Sequence, residues 1–331
     1  MEGQIFKIGN KLTVLCSAFI LFSGCALDSS NTSDTIPEHD KRYGIYSMEL
    51  VTGIVELIYS SDNSLHRIHE NHTGTKLIFQ EDFGSNTFKD SEICLINPDG
   101  SGHQRITNNS WLDAYPSWSP EGTKILYLSW RDYPDNTLDI FVMDSNGTNH
   151  VELYDSGDHD ADPHWVGSQI VFTRDSQIWI MDDNGANARQ VTDYEFAGQQ
   201  GNADLLLPFG DYDPRINPAG TMICFDRMID DQSTSGNYDF YTININGTGE
   251  TPITNTAWQQ FMAEWSHDGN KLLFTVAAKG GGGLFDMYTM NPDGSDVTNI
   301  TPADWPTEFL CSHGIYSYDD SKIYFVGEWW E

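Results

Sequence analysis

Short apolar runs, each closed by a polar turn, recur along this chain at intervals of roughly fifty residues. A turn and a first run appear as HTGTKLIFQ from His72, SPEGTKILYLS from Ser119, VGSQIVFT from Val166, NPAGTMICFD from Asn217, SHDGNKLLFT from Ser266 and YDDSKIYFVG from Tyr318. A second run ends in an Asn/Asp-Gly turn, as in ICLINPDGS from Ile93, IFVMDSNGT from Ile140, IWIMDDNGA from Ile178, FYTININGT from Phe240 and MYTMNPDGS from Met287. A brief third run follows, such as QRIT, RQVT, TPIT or TNIT. The runs are short and rich in Ile, Val, Leu, Tyr and Phe, which predicts strands. With Gly74, Gly122, Gly167, Gly220, Gly269 and Asp320 taken as equivalent, successive copies are 48, 45, 53, 49 and 51 residues apart. Four short strands at that period predict the blades of a propeller.

The last copy stops after two strands at Glu331, and GIYSMELVTGIVELIYSS from Gly44 reads as the two that are missing. The expected fold is therefore all-β: a six-bladed β-propeller whose last blade is closed by N- and C-terminal strands. Closure has a physical motive, because an open array would leave sheet edges with unpaired N–H and C=O groups.

The combination of PSWSPEGTKILYLS with IFVMDSNGT resembles the repeat of the TolB-like six-bladed propellers, also called the WD40-like or PD40 repeat. The resemblance covers nearly all of residues 43–331 and implies that fold. TolB itself is similar only in its propeller and has an α/β domain ahead of it, for which no room is expected between Cys25 and Tyr43. The expected form is a lipoprotein lacking that domain, and the resemblance supports the fold but a Tol-Pal role only weakly.

Three segments are expected: a lipoprotein signal peptide over 1–24, a flexible tether over 25–42 and the propeller over 43–331. Lys7 and Lys11 precede an apolar run from Leu12 to Phe22. That run is shorter than the roughly 20 residues needed to cross a bilayer and reads as a signal-peptide core. Ser23, Gly24 and Cys25 then resemble a lipobox, which makes Cys25 the lipidation site; the alternative is an ordinary secretory signal cut nearby. Ala26 stands where an inner-membrane retention signal would have Asp, so the outer membrane is the expected destination, facing the periplasm or the cell surface. Leu27 to Asp40 is rich in Ser, Thr and Asp and has little to bury. Of the remaining cysteines, Cys94 and Cys224 sit in apolar strand runs and are expected as buried free thiols.

The chain has 49 acidic against 17 basic side chains and a formal charge of −32. Nucleic acid and anionic lipid surfaces would be repelled, so neither is an expected partner, and membrane attachment rests on the anchor alone. The acidity reads either as a solvated surface or as attraction for a cationic partner or metal ions.

In a meander of strands a to d, the a-b and c-d turns share one face and the b-c and d-a connections share the other. The first face has short, uniform turns that turn chemistry explains. DSNG and DDNG lack the spacing and terminal Glu of a calcium loop. The second face is irregular, with insertions at 81–91, 130–137, 227–237 and 276–283 and connections at 194–213 and 302–311. Binding is expected there.

Counting back from the tryptophan of the WSP turn and its equivalents, the fifth residue is Asp113, Asp160, Asp211, Gln260 and Cys311 in successive blades. The third is Tyr115, Asp162, Asp213, Met262 and His313. With strand a lining the axis, Asp113, Asp160, Asp162, Asp211, Asp213 and His313 are the candidate binding residues at one channel mouth. The resemblance gives Asp113, Asp160 and Asp211 an alternative role of tying down the loop. Asp158, His159, Asp160, Asp162 and His164, in DHDADPH, are weak candidates for a divalent ion. Trp111, Trp130 and Tyr133, with Trp258 and Trp305, are candidates to stack on a sugar or hold a peptide. The run Leu205 to Phe209 is expected to plug the channel or pack on a neighbouring blade.

No GxSxG elbow, P-loop, CxxC pair or HExxH is present. The expected role is a non-catalytic binding or scaffold module for an envelope protein, polymer or glycan, with no cofactor. Oligogalacturonate lyases, which resemble this repeat and use a histidine-held metal at the channel mouth, supply the enzymatic alternative; a glycan-binding module is the third.

Overall fold

A computed structural model describes residues 41–84, 90–131, 137–199, 208–229, 237–256, 259–277, 285–302, 305 and 309–330. Among them, two strands begin the chain, β1 (Lys41–Glu49) and β2 (Val55–Ser61). Blade 1 follows as β3 (Leu65–Glu70), β4 (Leu77–Asp82), β5 (Ser91–Ile96) and β6 (Gln104–Arg105). Blade 2 is β7 (Asp113–Trp118), β8 (Lys124–Ser129), β9 (Asp139–Asp144) and β10 (Val151–Tyr154). Blade 3 is β11 (Asp160–Val166), β12 (Gln169–Arg174), β13 (Gln177–Asp182) and β14 (Arg189–Gln190). Blade 4 is β15 (Gly210–Ile216), β16 (Met222–Ile229), β17 (Asn237–Asn244) and β18 (Thr251–Pro252). Blade 5 is β19 (Gln259–Trp265), β20 (Leu272–Ala277), β21 (Phe285–Met290) and β22 (Thr298–Asn299). The chain ends with β23 (Leu310–Tyr316) and β24 (Lys322–Trp330).

Blade 6 is assembled from both ends, in the order β2-β1-β24-β23. β1 and β24 pair antiparallel along their whole length, with Ile45 opposite Val326 and Ser47 opposite Tyr324. The inner strands β3, β7, β11, β15, β19 and β23 touch in cyclic order, and β23 meets β3. The fold is a closed six-bladed propeller.

Its core is divided among the blade interfaces, because each sheet is apolar on both faces. Tyr43, Ile45, Leu65, Phe79, Cys94 and Tyr324 fill the seam between blades 6 and 1. Met48, Leu273, Met287, Cys311 and Phe325 fill the one between blades 5 and 6. Cys94, Cys224 and Cys311 are free and buried.

The repeating turn residues have a backbone reason. Gly74, Gly122, Gly167, Gly220 and Gly269 all have φ between 57° and 72°, and Asp320, the non-glycine copy, has φ 55°. At the c-d turns a second demand is added. Gly185 has φ 82°, and a Cβ there would run into the Leu153 carbonyl of the preceding blade; Gly294 meets the Ile253 carbonyl in the same way, and Gly247 faces that of Val191 with slightly more room. These turns are blade-to-blade contacts as well as hairpin ends.

Every inner strand also contains a bulge, set between Ala114 and Ser117 in β7 and at the matching place in the other five. The residue at the bulge takes a left-handed conformation: Arg67, Tyr115, Asp162, Asp213, Met262 and His313, with φ from 49° to 60°. Six side chains are thereby placed at one level around the axis.

Candidate functional site

At this level the channel is closed by its own side chains. Arg67 Nη2 donates to Asp162 Oδ1 at 3.1 Å and to Asp213 Oδ1 at 2.5 Å. The Tyr115 ring lies 4.6 Å from the guanidinium carbon. Arg67, Asp162, Asp213 and His313 are all buried. Burial, and then the Asp213 charge, raise the Asp162 carboxyl to about 7 against the pull of Arg67. Asp226 behind them is also raised, by burial and by Asp213, and accepts the Met262 N–H at 3.0 Å. His313 is held neutral by burial and by Arg67. Asp162, Asp213 and His313 are thus brought together, but as a sealed layer and with a cation, Arg67, that counting from the WSP tryptophan misses. Blade 1 has Glu70 in the tryptophan's place; counting seven residues back from the turn glycine, Gly74, finds Arg67 directly.

The other three aspartates form a second ring, in register with the ends of the neighbouring strands. Asp113 accepts from Ser129 Oγ at 2.5 Å and Asn109 Nδ2 at 2.7 Å. Asp160 accepts from Arg174 Nε at 3.0 Å. Asp211 takes both arms of the Arg227 guanidinium, at 2.5 and 2.9 Å. The partners are therefore side chains of strand b and of the loop ahead of strand a, and Arg174 and Arg227 stack in turn on Trp179 and Tyr241, each 4.4 Å away. Burial raises Asp113 to about 6 and Asp160 to about 7, and Asp211 also upward.

A pH dependence follows. Unfolded aspartates titrate near about 4, so between there and neutrality the folded chain holds protons that the unfolded chain releases. The stability from these groups is full below about pH 4 and is lost as pH climbs through about 6 to 7. Self-repulsion of the −32 charge changes in the same direction. Buried histidines held neutral, His69, His164 and His313, act in the opposite sense once pH drops below about 6.5, where unfolded histidines take up protons. The thermal midpoint is therefore expected to rise as buffer is taken from about pH 8 to about pH 6.5; a midpoint that falls over that interval contradicts the assignment of these carboxyls.

The residues of DHDADPH do not converge. His159 Nδ1 accepts the Leu138 N–H at 3.0 Å, Asp160 pairs with Arg174, Asp162 pairs with Arg67, and His164 Nδ1 accepts the Ile216 N–H at 3.1 Å. Asp158 lies in the turn, its N–H donating to Ser156 Oγ. Of the aromatic candidates, Trp111 is 36% exposed on the irregular side. Trp130 packs on the core between blades 2 and 3, and Trp305 packs on Phe309 with ring centroids 4.4 Å apart. Tyr133, Trp258, Leu205 to Leu207 and Cys25 lie outside the described residues; Phe209 is buried against Tyr212, Met228 and Tyr238.

The variable loops direct attention to the irregular side, yet a cavity of about 410 Å³ opens on the other, among the a-b turns. Its wall is built at the turn ends of the inner strands, from Glu70, Trp118, Trp165, Ile216, Trp265 and, in blade 6, Tyr316. The tryptophans of the WSP turns therefore form a funnel, with His72, His267 and Tyr318 on its rim. At the floor, His69 and His164 lie with ring centroids 6.1 Å apart, beside the Arg215–Glu264 ion pair at 2.9 Å. Below it the channel narrows to a space of about 30 Å³, enough only for ordered water.

The tautomers of the floor histidines follow from their partners. His69 Nδ1 accepts the Trp118 N–H at 2.8 Å, as His164 Nδ1 accepts that of Ile216. Burial lowers His69 to about 3 and His164 also well below its usual value. Both rings are neutral with hydrogen on Nε2, so that nitrogen donates; a metal ligand needs the reverse, a bare nitrogen facing the ion. Trp118 Nε1–H is buried in the same wall without an acceptor among the described residues. The funnel is thus aromatic, concave and supplied with hydrogen-bond donors.

Fold and site together define a closed six-bladed propeller with a central funnel on its turn side. No protein-family profile matches the chain. It is 28% identical over 133 residues to the Tol-Pal system protein TolB of Desulfosudis oleivorans, covering 38% of this chain and 30% of that protein. The chain spans less than half the length of such curated relatives. Among solved structures it is similar to a protein provisionally assigned to TolB from Agrobacterium tumefaciens, with a TM-score of 0.65 and 14% identity over 87% of this chain and 99% of that one. TolB from Acinetobacter baumannii gives 0.63 and 16%, over 83% and 66%. The architecture also recurs in an oligogalacturonate lyase in complex with manganese, at 0.51 and 11%, over 88% and 98%. The chain has the six-bladed β-propeller fold of these proteins and is similar in it to TolB.

Proposed function

We propose that this protein is an exported, lipid-anchored, non-catalytic propeller that captures a segment of an envelope protein in the funnel. The funnel itself is the observation that supports this reading: it has the volume of a ligand site, an aromatic wall, and donors at its floor suited to peptide carbonyls. The strongly acidic surface would steer a cationic partner toward it, with an on-rate that falls as salt rises. The likeness to TolB proteins favours a protein partner over a glycan. The histidine tautomers weigh against a lyase-like metal in the funnel.

The test is capture from solubilised envelope by the purified protein and by a Tyr318→Ala, His267→Ala variant. Both residues are exposed at the rim, so the fold should be unaffected. A partner recovered by the wild type is expected to be lost or weakened at least about tenfold in the variant, a loss of roughly 1.4 kcal/mol. Equal recovery would remove the funnel from consideration, and manganese-dependent cleavage of oligogalacturonate would establish the lyase alternative instead. Anchoring is tested separately: Cys25→Ser is expected to move the protein from the membrane to the soluble fraction, and an unchanged membrane fraction would contradict lipidation.

A further inference from the structure

In blades 1, 3 and 4 a node recurs on the outer part of the blade, where the end of strand b meets strand c and, in blades 1 and 4, the segment just before strand d. In blade 4 the node is a cation clamp: Arg227 lies on Tyr241 and is held by Glu250, with Nη1 to Oε1 at 2.6 Å. In blade 3, Arg174 occupies it, against Trp179. Strand register places Glu81, Cys94 and His103 of blade 1 where blade 4 has Arg227, Tyr241 and Glu250. The guanidinium is replaced by a carboxylate, the aromatic ring by a thiol and the carboxylate by an imidazole.

These three groups converge. Cys94 Sγ lies 3.6 Å and His103 Nε2 3.4 Å from the same oxygen, Glu81 Oε2. The other oxygen, Oε1, is already engaged by Ser61 Oγ at 2.7 Å and Asn63 Nδ2 at 2.9 Å. The Tyr59 hydroxyl bonds the same carboxylate at 3.3 Å, and the Tyr59 ring stacks on His103 at 4.6 Å. A tetrahedral zinc with ordinary bond lengths separates its S and O ligands by about 3.5 Å and its N and O ligands by about 3.3 Å. The two observed spacings match those edges, and the three ligand atoms all lie within 4.8 Å of one another. Oε1 is tied down by Ser61 and Asn63, whereas Oε2 faces Sγ and Nε2 with only the Tyr59 hydroxyl beside it.

We propose that Glu81, Cys94 and His103 bind a divalent transition-metal ion of the zinc type, with the fourth position open to water. Binding forms an S–metal bond and releases the Cys94 thiol proton to solvent; His103 ligates through unprotonated Nε2, with no change of oxidation state. Glu81 and Cys94 are buried whereas His103 is reached from outside, which gives an entry path. Tyr59 and Ser61 belong to β2, the outermost strand of the blade closed by both chain ends. The ion would therefore pin the closure seam to blade 1.

The test uses the untagged full chain, stripped with chelator and titrated with cobalt(II) and then zinc. One equivalent of cobalt is expected, with a thiolate-to-cobalt charge-transfer band that zinc abolishes. Cys224 and Cys311 are buried in other blades, so loss of the band in Cys94→Ser assigns it. His103→Ala, at a partly exposed position, is expected to abolish stoichiometric binding, and Ser61→Ala to weaken it about tenfold. Excess zinc is expected to raise the thermal midpoint of the wild type and leave that of His103→Ala unmoved. Absence of the thiolate band, or equal binding by His103→Ala, overturns the proposal.

Discussion

Replacing Arg67 by Met is expected to lower the thermal midpoint by about 10 °C, the equivalent of roughly 3–5 kcal/mol for stripping the counter-charge from a buried ion pair. Arg67 is 7% exposed and is the cation that Asp162 and Asp213 share, with Asp226 behind them. Without it, carboxylates face one another across a channel that water hardly enters. Two signatures separate this cause from loss of packing. The deficit should shrink as pH falls, because protonated carboxyls need no cation, and Asp213→Asn should restore a large part of the stability in the Arg67→Met background while costing stability in the wild type. Strictly additive effects would show that the three side chains do not act as one unit. The same reasoning makes Asp162 and Asp213 stability residues: removing both would leave Arg67 buried without its partners.

Removing residues 1–61 is expected to abolish the cooperative unfolding transition. The deletion takes away β1 and β2, leaving β24 as a nine-residue unpaired edge. It also removes Tyr43, Ile45 and Met48 from the two interfaces of blade 6. At about 2 kcal/mol each, those side chains contribute about 6 kcal/mol, comparable to the 5–15 kcal/mol that holds a typical domain together. A milder version is Ile45→Asp, which puts a charge at a fully buried seam position and should cost several kcal/mol. A deletion product that melts cooperatively near the wild-type midpoint would mean that the ring is not held by its ends.

The repeat was readable in the sequence because each blade imposes the same local demands on its residues. A left-handed turn selects Gly74 and its equivalents, and a hairpin pressed against the previous blade selects Gly185 and its equivalents. Even the closing blade could be read, since its two halves are ordinary strand patterns at opposite ends of the chain. The site was less legible, for two physical reasons. Which end of the channel stays open depends on the side chains that meet across the axis from different blades, and Arg67 closing over Asp162 and Asp213 is invisible to a count within one blade. The WSP tryptophans, moreover, mark the turn in sequence but form the funnel wall in space. A residue explained by the repeat can still line a site, so irregular loops alone were an incomplete guide. The Glu81, Cys94 and His103 node shows the converse, a departure from the repeat that only strand register exposes.

Whether a partner seats in the funnel or on the side of the variable loops is decided by site-specific photocrosslinking. A photoreactive residue at Tyr318, on the funnel rim, is compared with one at Asp175, in the exposed b-c turn of blade 3 on the opposite side. A covalent adduct with an envelope protein is expected from Tyr318 and none from Asp175. Adducts from Asp175 alone would contradict seating in the funnel.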